Sequence, residues 1–108
     1  MTKFKIEYDL FEKLFNKIKG EPEITIYFEN NENQYMIIKY DGYVTFQRCG
    51  IVDGSGEIKY NNLRELYNGK TIDDICLKDD WEKITDIIID EGLSLKDDLD
   101  YIKEMYKL

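Results

Sequence analysis

No histidine occurs in these 108 residues, and there are only one proline and two cysteines. The missing histidine excludes Ser-His-Asp and Cys-His nucleophilic catalysis and removes the commonest zinc ligand. A single proline among seven glycines leaves no linker or low-complexity tract. Cys49 and Cys76 stand far apart and form no CxxC pair, so they read as reduced core thiols of a cytoplasmic protein. Apolar runs stop after a few residues, well short of the about 20 that a bilayer span requires. The opening MTKFKIEYDLFEKLFNKIKG has no apolar h-region and no small-residue cleavage site, so a signal peptide is not expected. GxGxxG, GxxxxGK(S/T) and GxSxG are all missing. Positive charge is also in deficit, 15 bases against 23 acids, for a net charge of −8. Phosphate and anionic lipid repel such a surface, so direct nucleic-acid or membrane binding is not expected.

What is present suits one folded domain over residues 1–108. A hydrophobic fraction of 43% supports a real core. Residues 1–61 read as a helix plus a sheet, and residues 62–108 as an acidic helical part. KFKIEY alternates as a short strand or extended lead-in. Asp9 and Glu12 have capping-box spacing ahead of Leu10, Phe11, Leu14, Phe15 and Ile18, which recur at helical intervals. Gly20 and Pro22 end that helix.

A meander follows. EITIYFE sets Ile24, Ile26 and Phe28 on one face, and QYMIIKY sets Met36, Ile38 and Tyr40 on one face. Asp41-Gly42 is a hairpin turn, after which Val44 and Phe46 point inward. GEIKY offers a fourth short strand. The expected class is therefore α+β: an N-terminal helix, a three- to four-stranded antiparallel meander, and two to three C-terminal helices. Asn62 with Glu65 caps one of those helices and Asp79 with Glu82 another, which carries Trp81, Ile84 and Ile88 on its inner side. Ser94 caps the last, whose apolar stripe is Leu95, Leu99, Ile102 and Tyr106.

Two features carry functional weight. The first is the distribution of acid: residues 71–108 hold twelve acids against five lysines. At 3.6 residues per turn, Glu82, Asp86 and Asp90 share one stripe of the expected 79–91 helix. Asp97, Asp100 and Glu104 share one on the last helix. Same-face neighbours lie about 5–6 Å apart, so each helix would present a row of carboxylates comparable in spacing to a phosphate backbone. The bland reading is a solvated face that keeps a small protein soluble. The second feature is nine tyrosines. Tyr27, Tyr35 and Tyr43 alternate out of phase with the inward residues, so they are expected on the opposite sheet face beside Thr25, Ile37, Lys39, Thr45 and Gln47. Tyrosine gives rigid area with a polar tip, which suits a protein contact, although a helix partly covering that face, or cross-strand pairing alone, would also account for it.

A third stretch is weaker. IVDGSGEIKYNN resembles the second half of an EF-hand loop when Gly56 is the sixth residue, with Asp53 and Ser55 at oxygen-ligand positions and Ile58 at the apolar eighth. Its first position is then Ile51 and its twelfth Asn62, which lack the required carboxylates. The plainer reading is a glycine-rich turn between strands, and no metal or cofactor is expected.

Together these point to a small acidic non-enzymatic binding protein. Its acidic end would dock on the basic groove of a nucleic-acid-handling protein and occupy it in place of DNA or RNA. In type, though by no motif, the chain resembles small acidic tyrosine-rich proteins of phages and mobile elements, including anti-CRISPR and anti-restriction inhibitors that mimic nucleic acid. The competing expectation is a structural or adaptor module that binds through the tyrosine face, with the acid serving solubility alone.

Overall fold

A computed structural model describes residues 6–50, 56–89 and 92–108. Helix α1 (Tyr8–Lys17) leads into β1 (Glu23–Phe28), β2 (Gln34–Tyr40), β3 (Tyr43–Arg48) and β4 (Glu57–Tyr60). Helices α2 (Leu63–Asn68) and α3 (Leu77–Asp80) follow, then β5 (Ile84–Ile89), β6 (Leu93–Ser94) and α4 (Leu99–Tyr106). The strands make one antiparallel sheet in the order β4-β3-β2-β1-β5-β6. The α+β class, the N-terminal helix, the meander and the last helix match expectation, and the sheet has six strands where three to four were expected.

The additional strands come from the segment expected to be an acidic helix. Residues 77–83 make only a helical turn and a 3-10 turn, and the chain then extends as β5 beside β1. ITDIII explains the outcome. All but one of its residues are β-branched, and such side chains lose rotamer freedom in a helix and pack well on a pleated surface. The helical spacing of Trp81, Ile84 and Ile88 is overridden by that preference and by the open edge of β1.

The four described α-helices pack on the same face of the sheet. One cluster joins Phe11, Leu14 and Phe15 of α1, Leu63 and Leu66 of α2, Leu77 of α3 and Ile102 of α4 to Ile24, Ile26, Ile37, Phe46 and Ile87 of the strands. Truncating a phenylalanine in such a core costs about 3–5 kcal/mol. Polar bonds fix the helices over it. Arg64 of α2 forms an ion pair with Glu12 of α1, which also accepts a hydrogen bond from the Tyr8 hydroxyl. The Tyr8 and Tyr67 rings stack at 3.6 Å, and the Trp81 indole N–H donates to the Ile6 carbonyl at 2.7 Å. Lys39 donates to the carbonyls of Phe15 and Ile18 at the end of α1, and Lys17 to those of Tyr106 and Lys107 at the end of α4. A cation there complements the helix dipole.

The expected caps are realised unevenly. Asn62 caps α2, accepting from the Glu65 N–H at 2.8 Å. Helix α1 starts one residue ahead of Asp9, at Tyr8, and Glu12 turns to Tyr8 and Arg64 instead of back-bonding. Asp80 accepts from the Cys76 N–H at the start of α3. Ser94 accepts from the Asp97 N–H in the turn before α4, while Asp98 occupies the N-cap position.

Candidate interaction surface

The register assigns every strand residue to a face. Ile26 lies opposite Tyr35, Ile24 opposite Ile37, and Ile37 opposite Phe46, so these face the helices. The other face carries rows that cross the sheet. Ser94, Ile88, Thr25, Met36, Gln47 and Glu57 form one row; Glu23, Ile38, Thr45 and Lys59 form another. Tyr40 pairs with Tyr43, their rings stacked at 4.8 Å, and Lys59 sits over the Tyr43 ring at 4.3 Å. Tyr27 lies opposite Asp86. None of the outer-face residues belongs to the helix-covered cluster, and among the described residues no helix contributes to their side. This face carries tyrosine, isoleucine and methionine, with Glu23, Glu57, Asp86 and Lys59 among its charged residues; Ile38 on it is buried, and Tyr27, Met36, Tyr40, Tyr43 and Ile88 are half-buried. At its centre Thr45 is 3% exposed, and its hydroxyl has no hydrogen-bond partner.

Two of the three expected tyrosines, Tyr27 and Tyr43, lie on this face with Thr25, Thr45 and Gln47. Tyr35 does not. It is fully buried between Phe28 and Phe46, its ring stacked on Phe46 at 5.6 Å. Strand β2 has the opposite phase to the one expected, so Met36, Ile38 and Tyr40 are outside while Tyr35, Ile37 and Lys39 are inside. The inward Lys39 explains the choice. Its aliphatic stem crosses the core edge and its ammonium reaches the carbonyls ending α1, a buried stem with a satisfied head. Partial burial there pushes its pKa down.

The carboxylate rows fare differently. The 79–91 helix does not exist, so Glu82, Asp86 and Asp90 share no helical stripe. Glu82 is exposed in the 3-10 turn, and Asp90 lies outside the described residues. Asp86 sits in β5 as a staple. It accepts from the Ser94 hydroxyl at 2.7 Å and from the N–H groups of Ile87 and Lys96 at 2.8 and 3.2 Å. Asp100 and Glu104 do lie one turn apart on the exposed side of α4, with Asp97 just ahead of the helix.

Asp73 and Asp74 both have positive φ, 58° and 63°. Asp73 accepts from the Tyr35 hydroxyl at 2.7 Å and pairs with Arg48 at 3.1 Å; these contacts hold its carboxyl below the ordinary range. Both partners reach it from the strands, so its position was not legible as a site residue in the sequence. A recess of about 270 Å³ beside it has Asp74, Asp80 and Lys83 on its wall. Asp80 there pairs with Lys83 at 3.2 Å.

Among the described residues no group of three or more Cys, Asp or Glu side chains is arranged to hold a metal ion. Of the loop similar to half an EF-hand, Ile51, Asp53 and Ser55 lie outside the described residues. Its second half is strand β4, and its last position, Asn62, is the α2 cap. Cys49 and Cys76 are both free thiols, and burial pushes that of Cys49 up. No helix among the described residues is long and apolar enough to cross a membrane. Comparison with protein-family models found no match, and comparisons with curated proteins and with solved structures found none either.

Proposed function

We propose that this chain is a non-enzymatic binding module that holds a protein partner against the outer face of its sheet. The carrying observation is the set of half-exposed Tyr27, Met36, Tyr40, Tyr43 and Ile88 side chains on the side away from the helices. Rigid aromatic area with polar tips is what interface centres use, and charges belong at the rim. The rim is acidic on balance, which selects a partner with a basic border around an apolar centre. Free thiols at Cys49 and Cys76 suit work in a reducing compartment, the cytoplasm.

A second reading keeps the acid in the leading role. Asp97, Asp100 and Glu104 form an exposed negative strip at α4, which suits docking on the basic groove of a nucleic-acid-handling protein. In that reading the chain is an inhibitor of anti-CRISPR or anti-restriction type that occupies the groove in place of nucleic acid. Its support is narrower than the sequence implied, because only one of two rows forms.

Site-specific photocrosslinking in cell extract separates the two. A photoreactive phenylalanine analogue replaces Tyr40 on the sheet or Tyr101 on α4, which is 60% exposed. The sheet reading requires one discrete protein adduct from the Tyr40 position, lost when Tyr43→Ser is added. An adduct from the Tyr101 position alone, dissolved by moderate salt, would overturn it in favour of the acidic groove-blocker.

A further inference from the structure

Strand β4 ends the sheet, and its sequence, Glu57-Ile58-Lys59-Tyr60, is complementary to itself. The Arg48 N–H donates to the Gly56 carbonyl at 3.1 Å, and Phe46 and Val44 lie opposite Ile58 and Tyr60. Antiparallel hydrogen-bonded pairs recur at every second residue. Gly56, Ile58 and Tyr60 therefore spend their main-chain groups on β3, while Glu57 and Lys59 direct theirs to the free edge. Among the described residues nothing bonds to them there. Ile58 is one of the few large apolar side chains left exposed, at 37%.

We propose that two copies of the chain pair through β4, antiparallel about a two-fold axis at Ile58. Only three registers let outward groups meet outward groups. One sets Glu57 against Glu57 of the second copy, and another sets Lys59 against Lys59; like charges directly opposite destabilise a sheet. The third sets Glu57 against Lys59 twice. Each of those two pairs exchanges both main-chain bonds and brings opposite charges together on the outer face. Ile58 then meets Ile58 at the closer, non-hydrogen-bonded position, on the helix side of the sheet. Charge on an edge strand commonly guards against pairing. Here the two signs stand two residues apart, so under a two-fold they attract, and the pattern guards only against the wrong register.

The product is a continuous twelve-stranded sheet, two copies of the six-stranded one. Its outer side carries both Tyr40–Tyr43 stacks. A four-residue strand gives a small interface, so the expected dimer is weak, with Kd about 10–100 µM.

Sedimentation velocity over a concentration range bracketing that value is the test, with folding verified by circular dichroism. Lys59→Glu makes the edge wholly acidic and Glu57→Lys makes it wholly basic; each alone should weaken the dimer about tenfold or more. An equimolar mixture should form a heterodimer, and the double exchange in one chain should restore the homodimer. A wild-type chain that stays monomeric throughout overturns the proposal, as do single variants that dimerise like wild type or a mixture no tighter than its parts. No other protein is needed for this readout, so its failure leaves the sheet-face reading standing, and failure of that reading leaves the dimer standing.

Discussion

Tyr35 shows how single side chains tie this molecule together. Its ring fills the core between Phe28 and Phe46, and its hydroxyl emerges at the rim to meet Asp73 and an amide N–H of Asn31. Burial pushes the Tyr35 hydroxyl pKa up, and its bond to Asp73 helps hold that carboxyl down. Glu12 is lowered in the same way, first by Arg64 and then by the Tyr8 hydroxyl. A carboxyl lowered in the native state binds its proton less readily than in the unfolded chain, whose values lie near about 4. The stabilisation from both carboxylates is therefore complete above that range and is lost as pH falls through the native values. Urea unfolding between pH 7 and pH 2.5 should show a level plateau followed by an acid decline. Asp73→Asn and Glu12→Gln should each make that decline shallower. An unchanged decline in both variants would mean that neither contact differs between the folded and unfolded chain.

At the scale of elements, β5 decides the architecture. Its placement between β1 and β6 turns a four-stranded meander into a six-stranded sheet and recruits Asp86 as a connector. A bulge at Thr85 accompanies it, where two residues of β5 answer one step of β1 between Tyr27 and Phe28. The Asp86 carboxylate ties β5 to the turn that launches α4, through Ser94 and Lys96. Asp86→Ala should cost about 1–3 kcal/mol of stability, since it strips the part-buried Ser94 hydroxyl and Ile87 N–H, and the exposed Lys96 N–H, of their acceptor at once. Hydrogen exchange in residues 94–98 should rise with it, and Asp86→Asn should cost less. If Asp86 belonged to a solvated acidic row, both substitutions would stay within about 0.5 kcal/mol. Much at this scale was legible. The periodicity of α1, the Asp41-Gly42 hairpin, the first four strands, the Asn62 cap and the inward stripe of α4 all follow from local pattern. The β5 segment carried competing signals, a helical spacing of apolar residues and a β-branched composition, and only the vacant edge of β1 resolved them.

Across the whole molecule, the first and last described elements meet in one layer. Trp81 bonds to Ile6, Lys17 caps α4, and β5 lies beside β1, so residues 62–108 complete the sheet begun by residues 23–60. One shared core predicts one cooperative transition. Far-ultraviolet circular dichroism and fluorescence of the single tryptophan should give coincident urea curves. A fluorescence transition that precedes loss of the sheet signal would divide the fold into two units. The same layering determines what remains for contact. With every described helix on one side, the other side of the sheet is left with the half-exposed Tyr27, Met36, Tyr40, Tyr43 and Ile88.

The sequence by itself determined the class of the fold, because turn chemistry and apolar period act within a few residues. It determined equally the excess of acid and the lack of histidine. Tertiary structure alone decided the phase of β2. Tyr35, Ile37 and Lys39 are as plausible an inner set as Met36, Ile38 and Tyr40 until β1, β3 and the end of α1 are in place around them. It also decided the fate of the carboxylates. A strand separates neighbours onto opposite faces where a helix would have stacked every fourth one, so acids close in sequence ended as a staple at Asp86, an ion pair at Asp80 and an exposed strip at α4.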